Sequence, residues 1–336
     1  MAPEIPGFAE RRVPVADGVA LNVAVGGSGD PVVLLHGFPQ THLMWRHVAA
    51  DLAADHTVIC PDLRGYGASD KPEDVDGETY SKRTMGNDVV ALAEALGFER
   101  FALVGHDRGA LVAVRAGLDH PDRITHVAAL DVLPTLDSWE VMQGRSAAVG
   151  FHLFLMAQPK GLPEAMIEAT ADAFFGYFLD LWASSRDAIP QDVRDAYLEA
   201  SRAAVPSIVA DYRATATIDV EHDEADRRAG RRLRMPVTVL QQDWGSALGF
   251  DAAGRWRAWA DDLDHRTVSS GHFMAEEAPA EVVKAIRDLL TRRPTKSPTK
   301  SPRKAPRKAR TSPSGRRTRW RSPVVSGPST PTPPPR

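Results

Sequence analysis

Short apolar runs bounded by glycine, proline or aspartate recur through the first 135 residues and return after residue 235. Arg12–Val25 alternates around Asp17-Gly18, a dipeptide that closes tight hairpins, and predicts two antiparallel strands. Pro31–Leu35, Thr57–Cys60, Phe101–Val104 and Ile124–Leu130 are continuous instead of alternating, as strands covered on both faces of a parallel sheet tend to be. Helical stretches lie between them, notably Ser81–Leu96 and Arg108–Leu118. After Pro134 the pattern changes. Ser138 to Ala229 reads as helices with no convincing strand, then strand character resumes at Pro236–Leu240 and His265–Val268 before a last helix over Pro279–Leu290. These elements predict an α/β protein with a mostly parallel eight-stranded sheet flanked by helices. Its core would be built from residues 1–137 and 230–291, with a helical cap over 138–229 inserted after the sixth strand.

Composition narrows the class. Hydrophobic residues make up 43% of the 336, enough for a real core. No run of about 18 apolar residues exists to span a bilayer. The start, Met1-Ala-Pro-Glu-Ile-Pro6, lacks the basic and apolar regions of a secretory signal. Cys60 is the single cysteine, which excludes a disulfide framework and reads as a small buried hydrophobe. A cytoplasmic protein is expected. Charge is divided unevenly: residues 292–336 hold 14 Lys plus Arg, 11 of the 26 prolines and no acid, so 1–291 carries a net charge of −17. Such a basic, proline-rich tail cannot bury enough apolar surface to order itself and is expected to be disordered.

Candidate chemistry centres on Gly105-His-Asp-Arg-Gly109, between an apolar run and a helix. A G-x-nucleophile-x-G turn needs glycines because the chain reverses sharply there. Asp107 occupies the nucleophile position, and a carboxylate can attack an electrophilic carbon without first losing a proton. A plain strand-to-helix turn capped by Asp107 would use the same residues. His36-Gly-Phe-Pro39 follows the third strand, where the backbone N–H groups of Phe38 and Arg108 could together hold an oxyanion. His272, in Ser270-Gly-His-Phe273, follows the last strand, as a late general base does.

Together these elements resemble the α/β-hydrolase fold, and within it the haloacetate (fluoroacetate) dehalogenase and epoxide hydrolase-like branch. The resemblance spans about residues 1–291. It rests on His36-Gly-Phe-Pro-Gln-Thr-His-Leu-Met-Trp45, Pro61-Asp-Leu-Arg-Gly-Tyr-Gly67 and Gly105-His-Asp-Arg-Gly109. It continues through Leu130-Asp-Val-Leu-Pro-Thr135, Ala157-Gln-Pro159, Asp211-Tyr-Arg213, Glu221-His-Asp223 and Ser270-Gly-His-Phe273. The resemblance implies that Asp107 forms an aspartyl ester, that His272 activates the water that cleaves it, and that Asp131 orients the histidine. Asp243, after the next strand, is the rival acid. Arg108 would bind a substrate carboxylate, His152 and Tyr212 a leaving halide, and Trp182 would line the pocket. Two positions depart from the family: Leu111 replaces a second arginine, and Leu153 replaces a halide-binding tryptophan.

The resemblance implies hydrolytic cleavage of the carbon–halogen bond of a short 2-haloacid, with no metal or organic cofactor; relatives of this kind often pair into homodimers, and the sequence leaves the oligomeric state open. The alternative is an epoxide hydrolase or another aspartate-nucleophile enzyme acting on an uncharged substrate, with Tyr177, Tyr197 and Tyr212 as candidate proton donors. A reading of another class is nucleic-acid binding, since the tail predicts weak, non-specific, salt-sensitive contact with polyanions.

Overall fold

A computed structural model describes residues 3–243 and 248–293. The basic tail therefore lies, from residue 294 onward, outside the described residues.

The chain builds one eight-stranded sheet, in the spatial order β1-β2-β4-β3-β5-β6-β7-β8. The strands are β1 (Ala9–Ala16), β2 (Val19–Gly27), β3 (Asp30–Leu35), β4 (His56–Pro61), β5 (Phe101–His106), β6 (Ile124–Leu130), β7 (Val237–Gln241) and β8 (Leu263–Thr267). β2 pairs antiparallel with both β1 and β4, and every other pairing is parallel. The hairpin turns at Asp17-Gly18, where Gly18 takes φ 70°. Continuous apolar runs become central strands because both faces are covered: Val33 and Leu35 point into one core, Val32 and Leu34 into the other. Helices α2 (Lys82–Ala95) and α3 (Arg108–Asp119) pack on the first face. Helices α1 (Arg46–Leu52) and α13 (Pro279–Leu290) pack on the second.

The strand order places the site. β4 and β5 flank β3 on opposite sides, so the chain's path reverses there and a crevice opens at the carboxyl ends of β3 and β5. Leu35 pairs with Gly105, which sets the loop after β3 beside the turn after β5.

Between β6 and β7 the chain is helical: α4 (Thr135–Val141), α5 (Phe151–Met156), α6 (Leu162–Glu168), α7 (Ala171–Leu181), α8 (Gln191–Arg202), α9 (Val205–Ala216) and α10 (Ile218–Ala229). This insert meets the sheet's own helices through buried charge. Lys82, Arg108 and Arg115 on α2 and α3 face Asp211, Asp219, Asp223 and Asp226 on α9 and α10. Arg115 reaches Asp223 at 2.8 Å and Asp226 at 2.6 Å. The remaining helices, α11 (Ala252–Arg257) and α12 (Met274–Glu277), lead into β8 and α13 respectively.

Candidate active site

Asp107 sits at the sharp turn between β5 and α3 with φ 49° and ψ −117°, a conformation that costs energy for a residue with a side chain. The flanking glycines permit it. A Cβ at Gly105 would lie 2.3 Å from the Gly109 carbonyl oxygen, and one at Gly109 would lie 2.4 Å from that of His36. Gly37 is equally constrained, since its Cβ would fall 2.5 Å from that of Asp107. The loop after β3 can thus lie directly on the turn, and the Phe38 N–H donates to Asp107 Oδ1 at 2.8 Å. His36 holds this loop from below, with Nε2 accepting from the Leu63 N–H at 3.0 Å.

Asp107 Oδ2 lies 3.9 Å from His272 Nε2. On the far side of the imidazole, Nδ1 donates to Asp131 Oδ2 at 2.6 Å. Burial opposes protonation of His272, but the hydrogen bond and charge of Asp131 outweigh it and raise the pKa above 6.5. Asp131 follows β6 and also takes a positive φ, 51°. Asp243 is an exposed residue just beyond β7, and it is Asp131 that meets the imidazole. His106, inside the G-x-D-x-G turn, packs its ring tilted against His272 with centroids 4.5 Å apart and donates from Nε2 to its carbonyl at 2.8 Å. Burial first, and the nearby His272 charge second, push His106 down to about 4, so it stays neutral.

A cavity of about 310 Å³ opens over this set, lined by Asp107, Asp131, His152, Trp182, Tyr212 and His272 among others. Much of the remaining wall is apolar, including Leu111, Leu133, Met142 and Leu153. The His152 ring stacks on Phe38 at 6.1 Å, and its centroid lies 5.6 Å from that of Tyr212. Burial pushes His152 down to about 3 and raises Tyr212 well above 10, with the Asp107 charge adding to the Tyr212 shift. Both present neutral polar groups to the cavity. Trp182 packs edge-on against Phe38 and His272, and its carbonyl accepts the His272 N–H at 2.8 Å.

Three side chains do not stand as sequence reasoning expects. Of the three tyrosines, only Tyr212 lines the cavity: Tyr177 faces outward and is 47% exposed, while the Tyr197 hydroxyl donates to Glu276 at 2.7 Å. Arg108 reaches the cavity wall, but two of its guanidinium nitrogens are occupied. Nε donates to Asp211 Oδ2 at 2.9 Å and Nη2 to Asp211 Oδ1 at 2.8 Å, and Nη2 also bonds Thr215 Oγ1. The Tyr212 ring lies 4.0 Å over it. Asp211 is shared with Lys82 and the Tyr66 hydroxyl. Against the cost of its burial, Arg108 and then Lys82 hold its carboxyl well below the usual range.

Gln242 was not anticipated. Its backbone N–H and side-chain amide both donate to Asp131, at 2.9 and 2.7 Å, fixing the carboxylate that faces His272. The available signal was its place as the first residue past β7.

A family model for the α/β-hydrolase fold matches residues 30–279. Fluoroacetate dehalogenase from Burkholderia sp is 38% identical over 290 residues, covering 85% of this chain and 94% of that protein. Epoxide hydrolase A from Mycobacterium tuberculosis is 44% identical over 329 residues, covering 85% of this chain and 98% of that one. The crystal structure of an α/β-hydrolase-type protein from Nostoc sp PCC 7120 superposes with a TM-score of 0.82 at 38% identity, over 86% of this chain and 99% of that one.

Proposed function

We propose, from the premise that the chain belongs to the α/β-hydrolase family, that it is an aspartate-nucleophile hydrolase opening the epoxide ring of an uncharged, largely apolar substrate. The observation that carries this reading is the pairing of Arg108 with Asp211. Two nitrogens of the arginine on the cavity wall, Nε and Nη2, are already engaged by Asp211, and Leu111 stands one helical turn further on. To bind this arginine in the same two-pronged way, a substrate carboxylate would have to displace a buried partner.

Asp107 Oδ2 attacks a ring carbon and the C–O bond breaks. The developing alkoxide takes the Tyr212 proton while His152 holds the oxygen. His272 then removes a proton from water, whose hydroxide attacks Cγ of the aspartyl ester. Negative charge develops on Oδ1, where the Phe38 N–H already donates and the Arg108 N–H at the start of α3 assists. Collapse breaks the ester bond, frees a diol and restores the carboxylate. The proton on His272 returns to the Tyr212 oxygen. A His272-to-Asp107 separation of 3.9 Å suits a bridging water.

Cleavage of a 2-haloacid is the second reading, favoured by the similarity to fluoroacetate dehalogenase along nearly the whole body. The same nucleophile, base and water serve it, with His152 and Tyr212 donating to halide. A panel of styrene oxide and 1,2-epoxyhexane against fluoro-, chloro- and bromoacetate separates the two. Diol formation with little halide release supports the epoxide reading; halide release without diol overturns it.

Two expectations follow from this site. Leu111→Arg adds a second cation beside Arg108 on the same face of α3. One charged hydrogen bond contributes about 1.5–3 kcal/mol, so kcat/KM for chloroacetate should rise roughly 10- to 150-fold while that for styrene oxide falls. Steady-state kinetics on both substrates test this. The base must be neutral to act, and Asp131 raises the His272 pKa, so turnover should climb with pH through a midpoint above 6.5. Asp131→Asn should move that acid limb downward as it slows the reaction, measured as a kcat–pH profile.

A further inference from the structure

We propose that Glu277 is a positioning residue that staples the loop carrying His272 to the carboxyl end of α7, so that the seating of the helical insert sets the aim of the base. This rests on the aspartyl-ester reading given above.

Glu277 is the last residue of α12, five positions beyond His272. Its Oε2 accepts the Gly271 N–H at 3.1 Å and the Ser184 N–H at 2.8 Å, and it also bonds the Ser184 hydroxyl. One carboxylate oxygen thus joins the residue before the base to the segment just past α7. Beside it, the His272 N–H donates to the Trp182 carbonyl at 2.8 Å. The imidazole also packs on the Trp182 ring at 4.9 Å. The two backbones meet without side chains between them. A Cβ at Gly271 would lie 2.4 Å from Glu277 Oε1, 2.5 Å from Ser184 N and 2.6 Å from Trp182 O. Glycine is the only residue that fits there.

Asp107 has no part in this junction. Its position comes from β5, α3 and the Phe38 N–H. Losing the staple should therefore loosen the base while leaving the nucleophile in place. Formation of the ester needs only Asp107 and a proton donor, whereas its hydrolysis needs His272 held against Asp131 and aimed at the ester carbonyl. The two half-reactions should come apart.

The test uses the full chain with styrene oxide under single-turnover conditions, with intact-mass detection of the covalent adduct after an acid quench. Glu277→Asp keeps the charge but withdraws the oxygen by one methylene, and Glu277→Gln keeps the reach but removes the charge. Expected for Glu277→Asp is ester formation within about 3-fold of wild type and ester hydrolysis slowed roughly 10- to 100-fold, so that the adduct accumulates. Glu277→Gln, whose amide oxygen can accept the same N–H groups, should stay within about 5-fold of wild type in both steps. Glu277→Ala should resemble Glu277→Asp. Turnover of Glu277→Asp without adduct, or equal loss in both half-reactions, would overturn the proposal. So would a Glu277→Gln variant as impaired as Glu277→Asp, because the reach of the oxygen would then not account for the effect. His272→Gln, with Glu277 intact, is the control: no adduct there overturns the aspartyl-ester reading itself, and with it this proposal.

Discussion

Asp107→Asn should yield a folded protein whose product formation is down by about 10⁴-fold or more, the scale on which removing a covalent nucleophile acts. The amide is a poor nucleophile, and no other carboxylate on the cavity wall can take its place. Asp131, the other one there, is held by His272 and by both Gln242 donors. The fold should survive because asparagine tolerates positive φ better than most residues, and its carbonyl oxygen can still accept the Phe38 N–H. Product assay and thermal unfolding together make the test. More than a tenth of wild-type turnover in a freshly prepared sample would mean that the attacking group lies elsewhere.

Asp211→Ala should be the most damaging single change to stability. Arg108 and Lys82 are both almost fully buried, and Asp211 is the carboxylate they share. Removing one partner from a buried ion pair typically costs about 3–5 kcal/mol, because the remaining charge is left without compensation. For a body of this size that is a fall in Tm of roughly 6–20 °C. The sign with pH is definite. Asp211 has its pKa lowered in the folded protein, so its contribution is complete above the unfolded carboxylate pKa near 3.8 and fades as pH drops below it. The difference between wild type and variant should therefore shrink in acid. A variant that unfolds within 2 °C of wild type at pH 7.5 would contradict the assignment.

Much of the fold could be read from residue order, for a physical reason. Strands buried on both faces must be apolar throughout and must end in turn formers, so Pro31–Leu35, Phe101–Val104 and Ile124–Leu130 stand out against their surroundings. The meeting of Asp107, His272 and Phe38 was legible for a related reason: each follows a strand, and parallel strands deliver their carboxyl ends to one edge. Asp131 and Asp243 both follow strands, and only the family resemblance favoured Asp131. The helical insert was harder. Its side chains face the cavity, the core or solvent according to helix rotation, and sequence alone does not say which, so Tyr177, Tyr197 and Tyr212 looked alike. The Arg108–Asp211 pair, 103 residues apart, was invisible because either charge alone reads as a surface group. Gln242 was overshadowed by the neighbouring Asp243, since a carboxylate draws more attention than the amide that orients one.

The seam between α2–α3 and α9–α10 sets three cations on the sheet side against four carboxylates on the insert side. This has a bearing on how such enzymes can be rebuilt. A chimaera that grafts α9 and α10 onto a sheet lacking counterparts of Lys82, Arg108 and Arg115 would inter Asp211, Asp219 and Asp223 with no cation opposite them, Asp226 alone keeping Arg231. The reverse graft would strand Lys82 and Arg108 and leave Arg115 with Asp119 alone. The two halves are therefore heritable only as a matched set, and recombination between distant relatives should break at this boundary unless all seven residues travel together. New specificities are more accessible by single substitutions on the apolar wall, at Leu111 or Leu153, than by exchange of the whole insert.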